Sequence, residues 1–413
     1  MKIRSITFFF HPNNQKEFLP DLAKKAQQLK SAFSQNNIEV QTIRLATTPY
    51  ATWLPEEQSE KIKHIKSLEA KASGLGFEYL SIGPADIADQ NCAEEIPAIL
   101  AVTQNVFMTG MIADQQNGVS LPAVRRAAEI IYKAKSITPD GFTNLRYAAL
   151  ANVPPEIPFF PSAYHQGASP AFAIAVECAD EAVLAFGQAQ SLHEARANLL
   201  TRLQSAADKM QNIINQLANA LDIPFMGFDF SLAPFPEDSC SLGKALETLG
   251  IARIGESGSL AAAAFIADTL DQGTWLRSGF NGLMMPVLED SILAKRSIEQ
   301  TLTLKDLLLY SAVCGIGLDT VPLPGDCSQE TIYAILLDVA ALAIRLNKPL
   351  TARLMPVPGL KAGDKTDFDF EYFENGAALA TSAHPLSGLL TGNEQIQLKP
   401  RQAYKKNWHT KSR

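Results

Sequence analysis

The sequence lacks the features that mark membrane-spanning, disulfide-bonded and strongly basic proteins. No stretch approaches about 18 uninterrupted apolar residues, so no membrane span is expected. The five cysteines are odd in number and include no Cys-x-x-Cys pair, which favours reduced thiols over a disulfide framework or a zinc site. The net charge of −7 gives no reason to expect a nucleic-acid or membrane partner. These absences predict a cytoplasmic protein.

Several common catalytic fingerprints are also missing. The sequence contains no GxSxG, HExxH, kinase or dinucleotide-binding pattern, which disfavours those classes of enzyme. Its opening MKIRSITFFFHPNN is interrupted by Arg4 and predicts a buried first strand rather than a signal peptide. With 413 residues, 46% of them hydrophobic, the chain can build a large core without a disulfide or a metal.

What is present is an alternation of strand-like and helix-like segments. Residues 3–10 are rich in β-forming side chains, residues 17–33 have helical periodicity, and residues 199–221 carry one apolar stripe at steps of three and four. About nine or ten strands separated by helices predict an α/β fold with a largely parallel sheet. No linker divides the chain, so we expect one domain over residues 1–395, followed by a basic, flexible tail at 396–413.

The irregular stretch at 143–167 is predicted to be a loop draped over the core. Its His165, set among aromatic residues, prolines and glycine, is a candidate substrate contact, although a merely hydrogen-bonded histidine is the alternative.

The most unusual segment is SAVCGIGLDTVPLPGD, at 311–326. Cys314 follows a helix, where it could serve as a nucleophile or could be a small buried apolar residue. Asp319 precedes an apolar run, so its burial would require a partner, and it is a candidate for proton transfer or cation binding. Asp326, three residues before Gln329, has the spacing of a helix capping box.

Two further segments place oxygen-bearing side chains where a strand ends. Asp229 and Ser231 alternate onto one face and could contact a substrate or a hard cation. Glu289 and Asp290 stand at the transition from a strand to a helix. They could stabilise the helix N-terminus, or Glu289 could act as a general base or metal ligand if it faced a crevice.

Anion recognition has two candidates. Ser257 and Ser259 lie in a glycine-containing turn before a helix, where free backbone amides could receive a phosphate or carboxylate, although a plain tight turn explains them equally well. Arg353 interrupts a strand-like run and therefore needs a counter-charge. That counter-charge could be an internal carboxylate or a substrate carboxylate.

Taken together, these segments resemble an uncharacterised family known as domain of unknown function 711. The resemblance covers roughly residues 1–376. It is more distantly shared with uncharacterised protein family 0210, which has a similar cysteine, GLD and PGD arrangement. The matching runs are IRSITFF, PFFPSAYH, SLAPFPEDS, LMMPVLED, LLLYSAVCGIGLDTVPLPGD, KPLTARLMPVPG and FDFEYF.

The resemblance implies a ten-stranded β/α barrel similar to that of pyruvate formate-lyase and anaerobic ribonucleotide reductase. It does not imply their radical chemistry, because Gly376, Gly388 and Gly392 lack the sequence setting of a glycyl radical. Distant members are similar to proteins encoded beside small ACT-domain regulators, which implies an amino-acid-sized ligand or an ACT-domain-like partner. A homo-oligomer is a further expectation.

We therefore expect an enzyme that acts on a small anionic metabolite at one mouth of a barrel. Cys314, Asp319 and Glu289 are its candidate catalytic residues. The cofactor is unknown, a divalent cation is one candidate, and no glycyl radical is expected. The alternative is a non-catalytic sensor that binds the same amino-acid-like ligand and signals through a protein partner.

Overall fold

The central sheet is built from apolar runs whose residues are buried on both faces, as in sheets covered by helices and loops. The structure is a computed structural model that describes residues 1–314, 316–382 and 385–400, without the side chains of residues 14–17. Its strands are β1 (Lys2–Phe10), β2 (Val40–Pro49), β3 (Tyr79–Ala85), β4 (Val106–Asp114), β5 (Gly118–Ser120), β6 (Tyr147–Ala151), β7 (Ala171–Glu177), β8 (Phe225–Ala233), β9 (Gly317–Pro324), β10 (Leu350–Val357) and β11 (Gln395–Ile396).

The helices pack their apolar sides against the sheet. They are α1 (Gln15–Gln35), α2 (Gln58–Gly74), α3 (Cys92–Val102), α4 (Leu121–Ala134), α5 (Ala179–Gly187), α6 (Leu192–Leu221), α7 (Leu242–Thr248), α8 (Ser259–Asp271), α9 (Ser291–Ile298), α10 (Leu304–Ser311) and α11 (Gln329–Leu346). The apolar stripe predicted for α6 is confirmed, since Leu199, Leu203 and Met210 are buried along it. The helix ends at Leu221, and the next residue, Asp222, has a left-handed backbone conformation.

Nine strands form one continuous path in the order β8-β7-β1-β2-β3-β4-β6-β10-β9. Strands β1, β2, β3, β4 and β6 run parallel to one another. On one side β7 and β8 run the opposite way, and on the other side β10 and β9 do. Outside this path, the short strand β5 pairs with β4, and β11 pairs with β5. The predicted single α/β domain is confirmed, with a mixed sheet whose neighbouring strands are mostly parallel.

The segment 276–289 lies between the two edge strands, β8 and β9. The amide of Phe228 donates to the carbonyl of Leu276 (2.8 Å), Met284 donates to Ser231 (2.9 Å), and Val287 donates to Asp319 (3.2 Å). Only single bridges join this segment to each edge. The strand predicted at 283–288 is therefore irregular, and no regular ladder closes the described part of the sheet into the expected barrel.

The irregularity has a local cause on each strand. Leu232 in β8 and Thr320 in β9 have positive φ angles of 47° and 38°, conformations that interrupt a ladder. Pro286 in the segment between them has no amide proton to donate.

A second irregular segment, residues 152–165, packs against the sheet instead of lying over the outside of the molecule. Ser5 and Thr7 of β1 donate hydroxyl hydrogen bonds to the carbonyl of Pro158 (3.2 and 2.7 Å). Ser81 of β3 donates to the carbonyl of Ala163 (2.7 Å). The prediction of one loop over 143–167 is wrong for Tyr147–Ala151, which form β6, whereas residues 152–165 are irregular as predicted. These residues are mostly buried because strand hydroxyls satisfy their backbone carbonyls.

Two further predictions concern the C-terminal tail and the absence of a membrane span. Strand β11 pairs with β5 across the predicted boundary at residue 395, while residues 401–413 of the predicted tail lie outside the described residues. Within the described ranges, none of the helices combines the length and the apolar character needed to cross a bilayer.

Helix starts show which acidic residues are structural. Asp290 caps the start of α9, is fully buried, and accepts hydrogen bonds from the amides of Ile292 and Leu293 (3.0 Å each). It also accepts from the Ser241 hydroxyl and the Gly243 amide (2.6 and 3.1 Å). By contrast, the predicted capping box at Asp326 is wrong. Ser328 caps α11, and Asp326 is exposed.

We expect Asp290→Ala to lower the free energy of unfolding by about 3 kcal/mol, because four donors lose a shared buried acceptor. The matched control Asp326→Ala removes an exposed carboxylate and should change it by less than about 0.5 kcal/mol. Urea unfolding of both variants measures the difference. Equal effects would contradict the assigned cap.

Candidate functional site

A cavity of about 490 Å³ opens where strands β1 to β4 begin. Its wall combines arginines with aromatic rings and includes only one carboxylate among the described residues, that of Glu289. The charged and aromatic lining residues are Arg4, Arg44, Arg146, Glu289, Arg353, Tyr79, Phe107, Phe142, Phe159, Phe160, Phe370 and Tyr372. A second cavity, of about 340 Å³ near α10 and α11, contains none of the predicted site residues.

Two of the cavity arginines belong to a chain of buried ion pairs. Arg4 donates to Glu177 (3.0 Å) and to Glu289 (2.8 Å). Arg353 donates to the other oxygen of Glu289 (2.9 Å) and to Asp319 (2.6 Å). The order of charges therefore alternates as Glu177, Arg4, Glu289, Arg353, Asp319. We call these five residues the ion network.

The network explains the burial of its members. Burial lowers the pKa of Arg353, but Asp319 and Glu289 outweigh this and leave the pKa raised, so the guanidinium stays charged. Burial raises the pKa of Glu177, while Arg4 and Gln41 oppose the shift. The counter-charge predicted for Arg353 is thus supplied by two internal carboxylates.

Arg44 of β2 is the exception among the charged groups of the cavity. Its Nε donates to the Thr42 hydroxyl (2.8 Å), and its guanidinium lies 5.5 Å from the ring centre of Tyr79 and 5.1 Å from that of Phe160. Among the described residues, no carboxylate lies within 4.0 Å of it to form a salt bridge. Arg44 is only 9% exposed. Burial, together with repulsion from Arg4, lowers its pKa to about 10.

Arg146 is held by backbone groups. It donates to the carbonyls of Leu100 in the last turn of α3 (2.7 Å), of Thr103 just after that helix (3.0 Å), and of Val106 at the start of β4 (3.3 Å). Such contacts suit a cation, because unpaired carbonyls at a helix C-terminus carry partial negative charge.

Asp229 and Ser231 are brought together, but outside this cavity. As alternation predicts, they share one face of β8, and the Ser231 hydroxyl donates to Asp229. Asp229 also accepts from the amides of Phe280 (2.7 Å) and Asn281 (3.0 Å). A Cβ atom on Gly279 would lie 2.1 Å from the Asp229 carboxylate, so the close turn requires glycine there. The pair anchors the turn at 278–282.

Cys314 and His165 also lie outside the arginine cavity. Cys314 is 3% exposed, and burial raises the pKa of its thiol, which opposes formation of the thiolate. Both ring nitrogens of His165 are occupied, by Glu156 (3.0 Å) and by the carbonyl of Ser169 (3.1 Å).

The serine turn at 257–259 is also self-contained. Ser259 donates to the carbonyl of Glu256 (2.7 Å) and accepts from the amide of Gly255 (3.1 Å), while Ser257 is exposed. Neither serine lines the arginine cavity.

The structure thus unites three of the nine predicted site residues: Glu289 and Arg353 line the cavity, and Asp319 supports Arg353. Sequence reasoning missed Arg4 and Arg44, although both interrupt strand-like runs, the same signal that singled out Arg353. Over the part of the chain that is described, no group of three or more His, Cys, Asp or Glu side chains is arranged to hold a metal ion.

The fold and the cavity define the class of this protein: an α/β protein with a large mixed sheet and an arginine-lined hollow at one end. Over residues 1–375 the chain matches the family model described as "Uncharacterised ACR (DUF711)", and it belongs to that family. The family predicted from the sequence is therefore confirmed.

Similar proteins from distant organisms cover most of the chain. A UPF0210 protein of Pyrobaculum aerophilum is 31% identical over 375 residues, which span 84% of this chain and 80% of the relative. A UPF0210 protein of Clostridium botulinum (strain Alaska E43) is 28% identical over 365 residues, with the same shares covered. Another, from Methanopyrus kandleri, is 30% identical over 341 residues, or 78% of this chain and 75% of the relative.

The buried Asp229 leads to a prediction about pH. Burial raises its pKa from 3.8 to about 6, against the hydrogen bonds that lower it. The folded state therefore binds this proton more tightly than the unfolded chain does. Its contribution to stability is fully present below about pH 4 and is lost as the pH rises through about 6, a difference of about 3 kcal/mol.

Asp229→Asn removes this titration and leaves the other ionisable groups in place, so it serves as the reference. We expect the stability of the wild type relative to Asp229→Asn, measured by urea unfolding, to be greater at pH 4 than at pH 7. A relative stability that increases with pH would show that the hydrogen bonds, not burial, control this carboxyl.

Proposed function

We propose that the protein is an enzyme that acts on a small organic anion bound in the arginine cavity. The observation that carries the proposal is Arg44, a buried guanidinium that faces the cavity without a carboxylate partner among the described residues. The anionic metabolite expected from the sequence is retained, but its anchor moves from Arg353 and the serine turn to Arg44.

The physical argument rests on the cost of burying an unpaired charge. Removing a guanidinium from water costs several kcal/mol unless an opposite charge or hydrogen bonds compensate. The rings of Tyr79 and Phe160 supply about 1 to 2 kcal/mol of cation–π attraction, which is partial compensation. A bound carboxylate or phosphate would complete it with charge-assisted hydrogen bonds.

What supports catalysis is the fixed array of charges beside this anchor. Charges held in place within a partly dehydrated site stabilise charge that develops during a reaction, since they need no reorganisation. Of the three predicted catalytic residues, we assign Glu289 the contact with the ligand, because it lines the cavity. Asp319 would orient Arg353, and Cys314 is assigned no contact.

A second candidate, the non-catalytic sensor, would use the same cavity. It is favoured by the state of the thiols. Burial raises the pKa of all five cysteines, so none has the lowered pKa of an activated nucleophile. The sensor would report the ligand to a protein partner.

We also propose that residues 276–289 form an irregular tenth strand of a barrel like that of pyruvate formate-lyase. Support comes from hydrogen bonds to both edge strands and from the direction of its bridges, which are parallel to β8 and to β9. Counted in this way, five parallel strands face five that run the opposite way. The five free cysteines support a reducing, cytoplasmic setting.

The test is to incubate the purified chain with a metabolite extract and to follow the mixture by untargeted mass spectrometry. We expect a carboxylate- or phosphate-bearing compound to be consumed by the wild type and not by Arg44→Gln. Arg202→Gln, which removes a surface arginine paired with Glu181 at 2.7 Å, is the matched control and should behave as the wild type does.

The other outcomes separate the candidates. A compound that is retained by the wild type but not converted would favour the sensor. Identical behaviour of the wild type and Arg44→Gln, with neither conversion nor retention of any anion, would overturn both functions.

A further inference from the structure

We infer that the ligand of the arginine cavity is an aromatic monocarboxylate, whose carboxylate pairs with Arg44 and whose ring packs against the aromatic wall. This inference rests on the proposed function and narrows it to one class of compound. Three independent properties of the cavity support it: its charge, the nature of its wall and its size.

The charge of the site indicates a ligand with one negative charge. Among the described residues, four arginines line the cavity. The three carboxylates of the ion network, Glu177, Glu289 and Asp319, neutralise them in part. Glu69 acts on Arg146 only through space, since its carboxylate accepts from the amides of Gln104 and Asn105. One more negative charge balances the arginines, whereas a dianion would place an excess negative charge beside Glu289.

The wall around Arg44 is aromatic. Tyr79 and Phe107 make an edge-to-face contact with ring centres 5.4 Å apart, and Phe107 makes another with Phe160 at 5.3 Å. These three rings come from β3, β4 and the inner segment at 152–165, so their positions are set by the sheet. A flat ligand ring adds to such a cluster by offset or edge-to-face contacts.

A second group of rings lines the same cavity. Phe142, Phe370 and Tyr372 belong to it, and Phe370 lies 5.1 Å from Phe142 and 5.3 Å from Tyr372. The guanidinium of Arg4 lies over the ring of Tyr372, 4.7 Å from the ring centre. Tyr372 therefore contacts the ion network. Aromatic side chains therefore line the cavity from several separate elements.

The size of the cavity agrees with a ligand of one or two rings. Its volume of about 490 Å³ falls within the range of sites that enclose small organic molecules. Formate or acetate would leave most of the apolar wall without contacts, and would therefore gain little from it.

The test compares four probes on the full-length chain by NMR titration: benzoate, cyclohexanecarboxylate, phthalate and benzyl alcohol. We expect benzoate to bind about fivefold more tightly than cyclohexanecarboxylate, because only the planar ring makes aromatic contacts. Phthalate, with two charges, and benzyl alcohol, with none, should bind at least about tenfold more weakly than benzoate.

Two variants locate the effect. Arg44→Gln should weaken benzoate binding at least about tenfold. Phe107→Leu should weaken benzoate but not cyclohexanecarboxylate, because leucine keeps an apolar surface and loses the ring. The comparison among probes on the wild type needs no variant, so it stands even where a substitution impairs folding.

The outcomes distinguish this inference from the proposed function. Two results would overturn the aromatic monocarboxylate and leave the anion site standing, provided that binding depends on Arg44. Either cyclohexanecarboxylate binds as tightly as benzoate, or phthalate binds more tightly than benzoate. If no probe binds in a manner that depends on Arg44, both the ligand class and the anion site are overturned.

Discussion

The ion network is the interaction on which the rest of the structure depends. It joins β1, β7, β9 and β10 through side chains, and Glu289 places the end of the irregular segment 276–289 between Arg4 and Arg353. Because that segment has few regular hydrogen bonds to the edge strands, the paired charges supply a second connection across the same gap. Removing one member would leave a buried charge without its partner, which costs more than the pair contributes.

The same network prepares the cavity. By pairing Arg4 and Arg353 internally, it leaves Arg44 as the lining arginine that, among the described residues, has neither a carboxylate within salt-bridge distance nor backbone carbonyls like those that hold Arg146. The adjacent residues Glu289 and Asp290 have different roles. Asp290 caps the start of α9, and because it is the next residue in the chain, this holds Glu289 at the cavity wall.

The elements with a strong local signal are predictable from the sequence. The strand at 3–10 follows from its β-forming side chains, and the helix at 199–221 follows from apolar residues that repeat at the helical period. The need of Arg353 for a counter-charge followed from the cost of a charge in a strand, although its partner could not be chosen. Glu289 lies 285 residues from Arg4, and no local pattern records a contact over that distance.

The predicted site was recovered only in part for the same reason. Cys314, Asp229 and His165 stand in unusual local sequence, yet each has a structural environment. Cys314 is buried, Asp229 accepts a hydrogen bond from a turn, and His165 bonds to Glu156. Turns and buried loops need polar partners just as binding sites do. Arg44 interrupts a strand-like run, as Arg353 does, but the sequence does not show which of the two has a carboxylate partner. Among the described residues Arg44 has none within salt-bridge distance, and this is seen only when the strands are assembled.

The most direct test of the account is to crystallise the full chain with 4-iodobenzoate and to locate the iodine by anomalous diffraction. The account predicts a carboxylate within about 3 Å of the Arg44 guanidinium nitrogens, and iodine among the aromatic rings of the cavity. An iodine bound only elsewhere, with Arg44 paired to a carboxylate of the chain itself, would contradict it.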